Sequence, residues 1–195
     1  VKDAWFAPKI KKDFLKMNPL DFIVAQAPGN DTLVGKSLQD LEIIYETRDW
    51  REALLKFMQS TELKAIIFYK NINKDLIRDG IKSPRSFISS NAASFEESKK
   101  ALKPERAANT FTKFLSIVEE EKIMPPEAAI RKITYEPARK FDLKNRGLVK
   151  EGYLADLAVF KKNEIKFVVV GGRVVIKDGV FQGIFPGRIL RHNAQ

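Results

Sequence analysis

Residues 124–160 read MPPEAAIRKITYEPARKFDLKNRGLVKEGYLADLAVF, and this stretch organises the chain. The pair Pro125-Pro126 suits a helical first turn, where a missing N–H leaves no bond unmade. Glu127 lies in that turn, and Ala128, Ala129, Ile130 and Ile133 supply an apolar stripe. Pro137 is expected to interrupt the helix, and a shorter helical piece is predicted from Ala138 to Leu143. Gly147 and Gly152 then punctuate the backbone, and Ala155 to Phe160 enters a strand.

Beyond Phe160 the periodicity changes. Ile165 to Val170, Arg173 to Lys177 and Val180-Phe181 are short strand patterns separated by Gly171-Gly172 and Asp178-Gly179, which is the punctuation of a β-module. Pro186 to Arg191 is a basic tail. Upstream, a helix is predicted after Pro8 within 1–16. Asp21 to Ala27 reads as a strand, and Ser37 as the N-cap of a helix bearing Leu38, Leu41, Ile44 and Tyr45. Asp49 opens another helix, in which Trp50 reads as a core anchor beside Ala53, Leu54, Phe57 and Met58. The apolar run Ala65 to Tyr69 predicts a strand buried on both faces. A short helix from Lys74 to Asp79, ending at Gly80, is expected next, then a strand over Ser86 to Asn91. Alternation of strand and helix at this spacing argues for βα units, whose chemistry lies at the carboxyl ends of the strands. Asn91 would sit there, followed by a polar loop to Arg106 and a helix from Ala108 to Glu121 that buries Phe111, Phe114, Leu115 and Val118.

The bulk properties narrow the function. A hydrophobic content of 44%, with 14 Phe in 195 residues, is enough for a core. Absence of Cys excludes disulfides and thiolate metal sites, and the lone His192 lies in the tail, so no metal ligand is expected from this chain. No signal segment or long apolar run opens the chain, which suggests a cytoplasmic protein without a membrane segment and with sequence missing before Val1. The net charge is +10, but Lys and Arg alternate with Asp and Glu rather than forming a stripe with aromatics. A solvated basic surface is therefore preferred to nucleic-acid binding.

Several of these segments, in order, resemble the C-terminal part of the N-acyl-D-amino-acid deacylases (D-aminoacylases) of the amidohydrolase superfamily. The resemblance is carried by Phe22 to Pro28, by Gly35-Lys36-Ser37-Leu38, by the DWREALLKFM helix at 49–58, by residues 127–160 and by the FPGRILR ending. It implies an α/β fold: the C-terminal portion of a TIM-type (β/α) barrel with an inserted small subdomain, followed by part of a small β-sandwich. On that map residues 1–61 are the subdomain, 62–145 the last barrel strands and helices, and 146–195 the β-domain segment and tail. It also implies zinc in the parent family and hydrolysis of an amide by metal-activated water, with an Asp after the last barrel strand as the base. At that place the sequence reads Ser89-Ser90-Asn91-Ala92, so Asn91 stands where the Asp is expected. An amide keeps the shape of the carboxylate but is no base near neutral pH. Arg106, before Asn109-Thr110-Phe111, matches a substrate-binding position and could face a carboxylate; the alternative is a surface ion pair.

The resemblance thus implies a fragment of a deacylase that is inactive as this chain, with an N-acyl amino acid as the parent substrate and the rest of the barrel as its partner. The alternatives are a non-catalytic scaffold or interaction module, and a dihydroorotase-like or hydantoinase-like relative. A partial barrel would leave strand edges open, so the isolated chain is expected to need the remaining polypeptide or another chain. If the basic charge is only a solvated surface, binding to a generic DNA duplex should be negligible at physiological salt. A steep fall of affinity with rising salt would instead reveal a phosphate-binding face.

Overall fold

The computed structural model describes residues 18–91, 101–162 and 164–190. The helix expected within 1–16, most of the loop between Asn91 and Arg106, and His192 lie outside the described residues. What is described falls into two compact units, one within Val1–Asn73 and Ala92–Glu105, the other within Lys74–Asn91 and Arg106–Gln195.

The first unit is built on an antiparallel ribbon of β1 (Phe22–Gln26) and β2 (Ile66–Tyr69), with Phe22 opposite Tyr69 and Val24 opposite Ile67. On the other side of β1, Val24 donates to the Lys36 carbonyl and accepts from the Gly35 amide, both at 2.8 Å, and the Leu102 amide reaches the Ala25 carbonyl at 2.8 Å. Helix α1 (Leu38–Ile44) starts at a reciprocal cap: the Ser37 amide donates to Asp40 Oδ2 at 2.7 Å, and the Asp40 amide donates to Ser37 Oγ at 3.1 Å. The Ser37 amide thereby holds the Asp40 carboxyl below its usual range. Helix α2 (Trp50–Ser60) is capped by Asp49. Both helices turn apolar stripes inward, and Val24, Leu33, Leu38, Leu41 and Phe57 form the dry centre. Trp50 packs at the rim of this core, its ring 6.3 Å from that of Phe22. The expected anchor is therefore in place, as are the Ser37 cap and the strand at 22–26.

The second unit begins with α3 (Lys74–Lys82), followed by α4 (Glu105–Ala108), α5 (Thr110–Glu121), α6 (Pro126–Ile133) and α7 (Tyr135–Lys140). Ile81, Phe114, Val118 and Ala129 make a small core. The chain continues into an antiparallel meander of β3 (Leu157–Lys161), β4 (Glu164–Val170), β5 (Arg173–Lys177) and β6 (Val180–Phe181). Its last hairpin turns on Asp178 and Gly179, both at positive φ (50° and 78°), the geometry that lets a two-residue turn follow strand twist. The β-module expected after Phe160 is present.

Helices and meander meet in the 142–156 connection. The Leu154 amide donates to the Asn145 carbonyl at 2.9 Å, Asp156 is ion-paired to Arg146, and Asp156 Oδ1 accepts the Gly171 amide at 2.7 Å. Gly147 is obligatory there. Its φ is +82°, and a Cβ would stand 2.7 Å from Ala138 Cβ and 2.9 Å from the Thr134 carbonyl oxygen.

Several expectations need correction. Every strand pair among the described residues is antiparallel, so the expected parallel βα units of a TIM-type barrel are not formed within them. Strand β2 is not buried on both faces; Ile66 is 42% exposed, because a two-stranded ribbon has only one covered side. Residues 86–91 are irregular and form no strand. Gly80 lies inside α3 rather than ending it. The last helical piece starts at Tyr135, ahead of Pro137, since a proline in a first turn removes no helical hydrogen bond; the break falls at Thr134 instead. Helix α5 buries Phe114 and Val118 but leaves Phe111 42% exposed. No helix of the described residues is long and apolar enough to cross a membrane.

Among the described residues one cation is buried. Lys132, on α6, is 8% exposed, and its Nζ donates to the Ser83 carbonyl oxygen at 2.5 Å, at the C-terminal end of α3. The negative end of that helix suits an ammonium, but burial outweighs everything else and lowers the Lys132 pKa.

Two measurements follow from this architecture. Gly147→Ala should lower stability by about 1–3 kcal/mol, as a shift of the denaturation midpoint at constant m-value. An unchanged midpoint would mean that the connection yields freely. For Lys132, the folded pKa lies below the ordinary 10.5, so in the window just under pH 10.5 the unfolded chain binds more protons and stability rises with pH. The stability of the wild type relative to Lys132→Met should therefore climb as pH approaches 10.5 from below. A flat or falling difference would show the ammonium to be well solvated.

Candidate functional site

The segment that carries Asn91 leaves the end of α3 and is fastened at several points. The Ser83 carbonyl accepts from Lys132 Nζ at 2.5 Å and from Ser86 Oγ at 3.1 Å; the same Ser86 hydroxyl is bonded to the Gly80 carbonyl. Arg85 donates its amide to Ser83 Oγ at 3.2 Å. This knot lets the chain leave the helix just before Pro84-Arg85, as the residue preceding a proline favours. Phe87 then meets the ring of Phe141 at 6.1 Å, and Ile88 packs on the core of the unit. Serine hydroxyls and two apolar anchors thus give an irregular segment a defined course.

At its end the Asn91 amide donates to the Arg106 carbonyl oxygen at 3.3 Å. The same oxygen accepts from Thr110 Oγ1 at 2.7 Å, which ties Arg106 to the first turn of α5. The two residues singled out from the sequence, fifteen positions apart, are therefore held together by backbone. Both side chains are exposed. The carboxamide can donate and accept hydrogen bonds but cannot take a proton from water, and the guanidinium can clamp a carboxylate.

Two acidic groups of this unit, Glu121 and Glu136, are held in ion pairs. Glu121 accepts from Arg78 Nε at 2.6 Å, and that bond holds its carboxyl below the ordinary range. Glu136 lies between Arg131 at 2.6 Å and Arg139 at 3.2 Å, with its pKa lowered chiefly by Arg131. Each carboxylate is kept ionised, which suits a structural ion pair rather than a proton carrier. Among the described residues no three His, Cys, Asp or Glu side chains converge in a way that could hold a metal ion. The described residues do not fit a zinc centre.

A cavity of about 760 Å³ opens between the end of α5, the start of α6 and Phe160 on β3, lined by Leu115, Ile123, Met124 and Ile130 among others. Neither Asn91 nor Arg106 lines it. Sequence reasoning missed the buried Lys132, because one lysine among many on an amphipathic helix carries no mark of its burial. It missed the Ser83–Ser86 knot as well, although Ser-Pro after a helix is a turn signal.

With this geometry in hand, the chain can be set beside known proteins. Its fold is similar to that of a D-aminoacylase studied for the role of its binuclear metal centre, at 21% identity and a TM-score of 0.69 over 84% of this chain and 36% of that one. A D-aminoacylase described as defining a novel subset of amidohydrolases gives 23% identity and a TM-score of 0.68 over 84% of this chain and 36% of the other. An N-acyl-D-glutamate deacylase from Bordetella bronchiseptica, complexed with zinc and a phosphonate mimic of the tetrahedral intermediate, gives 21% and 0.70 over 85% and 36%. The chain thus spans little more than a third of the length of these structures. No curated protein matches it. Residues 59–175, well over half of the chain and including Asn91, Arg106 and the Asp156 joint, match the amidohydrolase family, and the chain belongs to that family.

Proposed function

We propose that this chain is the closing portion of a metal-dependent amidohydrolase that cleaves the amide bond of N-acyl-D-amino acids. In that reading, residues 1–61 are an inserted subdomain, 62–145 the last barrel strands and helices, and 146–195 part of a small β-sandwich. The rest of the barrel, from upstream sequence or another chain, carries the metal ligands and covers the open strand edges. Work in the cytoplasm agrees with a chain free of Cys. The observation that carries the reading is the Asn91 amide on the Arg106 carbonyl at 3.3 Å. It supports the reading by bringing Asn91, which stands where the family's Asp is expected, next to Arg106, whose planar fork suits a substrate carboxylate.

Within this reading Arg106 would orient the amino-acid carboxylate through its planar fork. Asn91 would hold a water or the amide group by hydrogen bonds while leaving the proton where it is. General-base assistance typically contributes about 10²–10⁴-fold, so its loss leaves a site that binds far better than it turns over. Asn91 itself favours a second reading, a scaffold derived from an amidohydrolase that no longer catalyses.

Both readings are separated by one assay of N-acyl-D-amino-acid hydrolysis with added zinc. It compares the chain alone, the chain joined to whatever polypeptide precedes Val1 in its gene, and the joined form carrying Asn91→Asp. No turnover is expected from the chain alone, and a rise of roughly 10²-fold or more is expected from the substitution in the joined form. Zinc-dependent turnover by the chain alone would overturn the fragment reading. A joined Asn91→Asp form that stays silent would leave the scaffold.

A further inference from the structure

The Phe185-Pro186-Gly187-Arg188 run has no part in the function proposed above. Its residues from Pro186 on form one wall of a cavity of about 570 Å³, whose other walls are the Gly171-Gly172 turn and residues 153–156. That size lies within the range of small-molecule sites, about 300–1,000 Å³. Three arginines are among its lining residues, Arg146, Arg173 and Arg188, against a single acidic residue, Asp156. That carboxylate is already engaged, by Arg146 on one side and by the Gly171 amide at 2.7 Å on the other. Among the described residues neither Arg173 nor Arg188 has a carboxylate partner. Two cations thus share one concave surface with no counter-charge, an arrangement that raises the local concentration of anions.

We propose that this cavity binds the dianionic phosphate group of a small phosphate ester. A lone carboxylate offers two oxygens and one charge, enough for one guanidinium fork. A phosphate monoester offers three oxygens and about −1.5 to −2 charges, which matches two forks. Tyr153, Leu154, Val170 and Leu190 line the same space and give the organic part of the ester an apolar wall. The site draws on the 142–156 connection, the meander and the tail, without Asn91 or Arg106, so it is independent of whether those two ever served a deacylase.

The test is a titration of the full protein with inorganic phosphate and with phenyl phosphate, followed by calorimetry and by amide NMR shifts. Saturable one-to-one binding is expected, tighter for phenyl phosphate, with shifts concentrated at Gly171, Gly172 and Gly187. Arg173→Gln or Arg188→Gln should weaken it roughly tenfold or more, and Arg173→Lys should weaken it less than Arg173→Gln. Lys161→Gln, on β3 away from the cavity, should leave it unchanged. Affinity should also fall as pH drops through about 6, where the dianion becomes a monoanion. Binding that fails to saturate, that Lys161→Gln weakens as much as the arginine variants do, or that shifts amides elsewhere would overturn the proposal. The wild-type shift map decides even if an arginine variant does not fold.

Discussion

An extended segment must place its backbone N–H and C=O groups, and that obligation shapes both units. In the first, β1 finds β2 on one side and the Gly35-Lys36 and Leu102 backbones on the other, so its groups are engaged along both edges. The outer edge of β2 and the outer edges of β3 and β6 are ends of their sheets. Two strands cannot bury both faces, so the apolar run at 66–69 is only half covered and the core gathers under one face, against α1 and α2. The second unit meets the same obligation with a meander of short turns, each strand pairing with the next in sequence. Antiparallel neighbours need only two-residue connections, whereas parallel ones need a crossover of a dozen residues or more.

Around this frame, charge is handled by pairing. Glu121, Glu136 and Asp156 each meet a guanidinium, and the amide of Gly171 adds to the last. What the pairing leaves over is positive, in agreement with the net charge of +10. The surplus gathers in part at the arginines around the Gly171-Gly172 turn. The candidate catalytic position behaves differently: Asn91 is neutral, exposed and held only through its backbone. Its side chain can donate and accept hydrogen bonds but carries no charge of its own.

Local signals in the chain were dependable where a short-range rule governed the outcome. Ser37 and Asp40 form the reciprocal cap that Ser-x-x-Asp before an apolar run announces, and Asp178-Gly179 turns its hairpin as that dipeptide should. Pro137 was misleading, because its effect depends on where in a turn it falls. Ile66 to Tyr69 was misleading too: a continuous apolar run does not say whether one face or two will be covered. Lys132 left no trace in the pattern, since its burial comes from α3 ending beneath it.

By itself the amino-acid sequence determined most of the helices and strands, the turns of the meander and, through its ordered motifs, membership of the amidohydrolase family. It also determined that Asn91 is an amide, which bounds the chemistry whatever surrounds it. Only the tertiary structure decided that the described strands pair antiparallel, that Asn91 meets Arg106 through the backbone, and that three arginines line one cavity. The physical reason is range. Caps, turns and periodicity are settled by atoms a few residues apart, whereas pairing partners, burial and uncompensated charge depend on which distant segments compete for the same backbone groups and the same shelter from water.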